Sequence, residues 1–83
     1  MFYIVSIKNR DLKAITVTED IKIANSFLNR QEDIKEGIER TLFTNKKDCA
    51  KALYLHCNNF SCKDINSCLF LINLEVDRYK RRK

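Results

Sequence analysis

The chain has 83 residues, 45% of them hydrophobic and 33% charged, with a formal net charge of +5. A chain this short holds one core and buries roughly 60% of its unfolded surface, which excludes a second domain and leaves little volume for an enclosed substrate cavity. The composition is unlike that of disordered chains; the longest apolar runs, residues 1–5 and 68–72, fall far short of the ~20 residues of a membrane helix, and the start lacks the basic region and cleavage site of a secretory signal, so the expected location is the cytoplasm.

Residues 2–8 are rich in β-branched and aromatic side chains, as are residues 13–18, and Asn9, Arg10 and Asp11 lie between them. This predicts an N-terminal β-hairpin. Phe2 and Ile4 alternate with Tyr3, Val5 and Ile7, and Ile15 and Val17 share a face, so at least one side of the hairpin belongs to a core. Proline is absent and Gly37 is the single glycine, so other tight turns fall to asparagine and aspartate. Thr18, Glu19 and Asp20 then supply an N-cap and acidic residues suited to a helix start, and Ile21, Ala24, Phe27 and Leu28 form the apolar stripe of a short helix.

Residues 34–43 admit two readings. Ile34, Ile38 and Leu42 keep the i, i+4, i+8 spacing of a helix, the preferred reading, but Gly37 weakens it, and residues 38–43 equally suit a strand. Thr44, Asn45 and Asp48 are capping residues, and Cys49, Ala50, Leu53 and Cys57 place a stripe along a helix from about residue 46 to residue 57. From Ser67 the chain reads as a strand, with Cys68, Phe70, Ile72, Leu74 and Val76 on one face and Asn73, Glu75 and Asp77 on the other. The order β-β-α-(α or β)-α-β describes an α+β domain over residues 1–77. Its small three-stranded antiparallel sheet, the N-terminal hairpin plus a C-terminal strand, carries two to three helices on one face, and a basic C-terminal tail follows at 78–83.

That tail holds the whole net charge, because residues 1–77 carry 11 Lys/Arg against 11 Asp/Glu. Arg78, Lys80, Arg81, Arg82 and Lys83 suit phosphate contacts and Tyr79 suits stacking on a base; a solvated end has the same composition. Glu32, Asp33, Glu36 and Glu39, interleaved with Lys35 and Arg40, form either a solvated helix face or an acidic ridge that docks on a basic nucleic-acid-binding surface. Tyr3, Tyr54 and Phe60 are interface aromatics or core.

All four cysteines and the one histidine lie between residues 49 and 68. A zinc site would draw on Cys49, His56, Cys57, Cys62 and Cys68, but structural zinc takes ligands in tight pairs and the cysteine gaps provide only Cys57-x₄-Cys62. Buried, reduced thiols are the simpler reading, with no metal and no cofactor. His56 and Cys57 are helix neighbours pointing about 100° apart, a poor geometry for nucleophile and base. With no glycine-rich phosphate loop either, the chain reads as a non-enzyme.

In layout the chain resembles the very small proteins encoded by phages and prophages of low-GC bacteria. These commonly open with a strand, here Phe2-Tyr-Ile-Val-Ser-Ile, add a second strand running into a helix start, here Thr18-Glu-Asp20, and place a capped helix, here residues 44–55, before a final strand and a basic end. The resemblance implies a protein that binds and blocks a host protein or protein–nucleic-acid complex, in some cases as an anti-CRISPR or other anti-defence inhibitor. Direct nucleic-acid binding through the tail is the alternative, a homodimer is open, and no membrane role is expected. Many such inhibitors have a strongly acidic surface; this chain lacks one, which counts against a DNA-mimic mechanism.

Overall fold

The structure, a computed structural model, describes residues 1–30, 34–56 and 64–82. It is an α+β fold with a three-stranded antiparallel sheet and three helices: β1 (Phe2–Lys8), β2 (Asp11–Thr18), α1 (Ile21–Leu28), β3 (Glu39–Phe43), α2 (Lys46–His56) and α3 (Ile65–Arg81). The β1–β2 hairpin closes over Asn9 and Arg10, which both take positive φ, 53° and 65°, as the primed two-residue turns that match strand twist require. A register shift between Ser6 and Ile7 follows, so that Ile7 pairs with Leu12 while Val5 pairs with Ile15. The extra residue, Lys13, turns both Leu12 and Ile15 onto the core side although they stand an odd number of residues apart.

β1 is the central strand, and both of its sides are covered. Tyr3 and Val5 face α2 and α3, whereas Ile4 and Ser6 face α1; all four are buried. The expectation that the helices share one face is therefore corrected. A central strand apolar on both sides needs cover on both, and Ala24, with no exposed surface, brings α1 close to the second side. Asp20, rather than Thr18, caps α1 by accepting from the Lys22 N–H at 2.8 Å; Thr18 Oγ1 in turn accepts from the Asp20 N–H.

Two elements differ from the preferred sequence reading. Residues 39–43 form β3, not a helix, and pair with β1 from Tyr3↔Phe43 to Ile7↔Glu39. The helical turn at Ile34 and Lys35 stops at Gly37, whose φ of +82° is open to glycine at little cost. Ile34 is 55% exposed while Leu42 pairs with the buried Ile4 in the sheet, so the three do not form one helical stripe, and the open edge of β1 takes up the backbone instead. The second correction is larger. The predicted C-terminal strand is the 17-residue helix α3, so the third strand comes from the middle of the chain and the order is β-β-α-β-α-α. Asp64 starts α3 by accepting from the Ser67 N–H at 2.7 Å. Cys68, Ile72 and Val76 then recur at i, i+4 and i+8 and are buried, while Phe70 and Leu74 are exposed. A run of this length with no Gly or Pro exceeds an ordinary strand and fits a helix of about 25 Å.

α2 and α3 pack on each other over the β1–β2 side of the sheet. The core there joins Tyr3, Val5 and Val17 to Cys49, Ala50 and Leu53 of α2 and to Cys68, Ile72 and Val76 of α3. Burial pushes the Tyr3 phenol above its ordinary pKa, with Cys49 adding to the effect.

Candidate functional site

The basic run is part of the folded body as far as it is described. Arg78, Lys80 and Arg81 form the last turn of α3 and Arg82 caps it, where cations oppose the negative end of the helix dipole. The ring of Tyr79 packs against the core and its Oη accepts from the Glu19 N–H at 3.4 Å, tying the end of α3 to the β2–α1 junction. Arg78 pairs with Glu75 at 2.8 Å. Lys80, Arg81 and Arg82 are exposed and make no ion pair among the described residues. Lys83 lies outside the described residues.

The acidic stretch is not a continuous helical ridge where it is described. Glu36 sits in the turn before β3 and Glu39 opens the strand, both exposed, while Glu32 and Asp33 lie outside the described residues. Arg40 turns to the α1 side, donating to Ser6 Oγ at 2.9 Å and to the Phe27 carbonyl at 3.3 Å. It shares the Phe27 ring with Arg30, the two guanidinium carbons lying 5.6 and 4.9 Å from the ring centroid. That arrangement clamps α1 to β3 through cation–π contact.

Of the metal candidates, Cys49 and Cys68 are fully buried on packed helices, His56 ends α2, and Cys57 and Cys62 lie outside the described residues. Among the described residues no three His, Cys, Asp or Glu side chains converge. An open cleft of about 660 Å³ runs between Ala52 of α2 and the sheet residues Ile7, Thr41 and Phe43, with Arg10 and Glu39 at its margin. Its lining is mostly apolar, with two opposite charges and no histidine or cysteine. Tyr3 of the three aromatic candidates is core, Tyr54 is 46% exposed on α2, and Phe60 lies outside the described residues.

The sequence reading missed the outer side of the helix layer. On α3, Phe70 is 64% and Leu74 39% exposed, and on α2 Leu55 is 65% exposed. Phe70, Leu74, Arg78 and Arg81 follow one another at i, i+4, i+8 and i+11, a single face opposite the buried one. Lys46 Nζ donates to Asn73 Oδ1 at 3.0 Å, so α2 flanks that face on one side. Asp64 at the head of α3 was the missed signal: its carboxyl is held below the ordinary aspartate range, first by the Ser67 N–H and then by the Ser67 hydroxyl, with burial opposing and the Asn66 N–H adding a little. Read as a cap, it would have replaced a period of two with one of 3.6 and turned Phe70 and Leu74 outward. No helix among the described residues is long and apolar enough to cross a membrane. Comparison with protein-family models, curated proteins and solved structures finds no match.

Proposed function

We propose that the chain is a small non-enzymatic protein-binding inhibitor, of phage origin, directed at a host nucleic-acid-processing or CRISPR-type defence complex. The observation that carries the binding part of this reading is the apolar side presented by α2 and α3. Leu55 and Phe70 each keep about two thirds of their surface in water, while the core closes with residues as small as Ala50, Cys49 and Cys68. Large apolar side chains left exposed on one helix face, as Phe70 and Leu74 are on α3, favour a macromolecular interface over a bare surface. The phage and anti-defence part rests on the layout resemblance. Affinity purification of the tagged full chain from host cells should return one stoichiometric protein partner; its absence from a controlled purification contradicts the reading.

A second reading, direct nucleic-acid binding, is favoured by Lys80, Arg81 and Arg82, which project from an ordered helix end. Removing residues 78–83 would also remove Tyr79 and its contacts, so charge neutralisation is the cleaner test. Lys80→Gln, Arg81→Gln and Arg82→Gln together should weaken binding to DNA or RNA and lower the salt slope by about three. Unchanged binding, or none by the parent chain, removes this reading.

A further inference from the structure

We infer that the outer face of α3 is the docking surface, and that it fits a partner protein whose apolar groove is rimmed by carboxylates; the inference rests on the protein-binding reading above. Phe70 and Leu74 supply the apolar ridge, and Arg78 and Arg81 continue the same face one turn further along. A helix presenting anchors at i, i+4, i+8 and i+11 lays that face into a groove. Arg78 already holds Glu75, so it is Arg81, with Lys80 beside it in the last turn and Arg82 at the cap, that meets carboxylates on the rim and sets orientation and encounter rate.

The same residues argue against the other occupants. A phosphate backbone offers nothing to Phe70 and Leu74, which need an apolar surface. A second copy packed parallel would set Arg81 against Arg81, and an antiparallel copy is distinguished from a partner protein by the cross-link. The exposed parts of Phe70 and Leu74 also fall well short of the ~800 Å² per partner of a stable interface, so the occupant must wrap the ridge as a groove does.

The test places the photo-crosslinking residue p-benzoylphenylalanine at Phe70 in the full chain, with a control at Ile23 on α1, which lies across the sheet. Irradiated in host cells, the Phe70 position should join a protein segment in which apolar residues stand beside carboxylates. With that partner purified, Leu74→Asp should weaken binding by about tenfold or more. Arg81→Glu should weaken it by roughly three- to tenfold at low salt, the difference shrinking as salt rises. Phe70→Ala, at a position 64% exposed, provides a variant that folds if Leu74→Asp does not, and should also weaken binding about tenfold. Cross-linking of Phe70 to nucleic acid, to a second copy or to a segment without carboxylates overturns the inference, as does an Arg81→Glu variant with unchanged affinity and salt dependence. A protein joined from Ile23 and not from Phe70 removes this surface while leaving the protein-binding reading in place; no protein from either position removes both.

Discussion

The inner and outer sides of α3 are built from similar apolar residues, yet Ile72 and Cys68 have no exposed surface while Phe70, between them in sequence, is 64% exposed and Leu74 39%. In a strand all four would share one face. A helix turns each successive residue by about 100°, so Phe70 and Leu74 point some 200° from Ile72. Apolar character therefore leaves open which of these side chains meets the core, and the backbone period decides it. The inner side contributes to folding, whereas Phe70 and Leu74 on the outer side stay in water, where the proposed partner would meet them.

The sharpest way to break this contrast is a pair of truncations. Ile72→Ala should cost about 2–5 kcal/mol, a large share of the ~5–15 kcal/mol available to a domain. Leu74→Ala should cost less than about 1 kcal/mol. Urea denaturation of both variants reads the difference directly, and equal losses would return the two residues to one face.

Tyr79 tests whether the basic end belongs to the folded body. Its ring packs on the core and its hydroxyl reaches the Glu19 N–H, so Tyr79→Ala should cost about 1–3 kcal/mol, whereas Lys80→Ala, one residue on and exposed, should stay within about 0.5 kcal/mol. Two thermal melts compare them.

The smallest effect concerns the start of α3. Hydrogen bonds from Ser67 lower the Asp64 pKa in the folded chain, so the stabilisation they give is complete above the unfolded aspartate value and is lost as pH falls through the folded one. Asp64→Asn should flatten the acid limb of a melting-temperature profile. Parallel profiles for the two proteins would mean that the carboxylate cap does not form.

How far the sequence could be read follows from how local each signal was. The hairpin was legible because Asn9 and Arg10 separate two β-rich runs, and α1 and α2 because polar caps precede apolar stripes. The fold class survives the two misassigned segments, because β3 supplied the third antiparallel strand that the C-terminal segment did not. For residues 39–43 the decision rests with β1, whose second edge lies more than thirty residues away in sequence. For α3 the period-two match through Cys68, Phe70, Ile72, Leu74 and Val76 coincided by chance with the helical stripe at Cys68, Ile72 and Val76, and the cap at Asp64 should have broken the tie. The same period-two reading hides the candidate surface, because it places Phe70 and Leu74 in the core.

If α3 keeps folding on one side and the proposed recognition on the other, the double variant Phe70→Asp/Leu74→Asp measures both at once. Purified beside the parent chain, it should keep the parent's circular dichroism spectrum and melt within a few degrees of it, yet fail to retain the protein partner that the parent brings down. A double variant that unfolds, or one that folds and holds the partner as well as the parent does, contradicts the account.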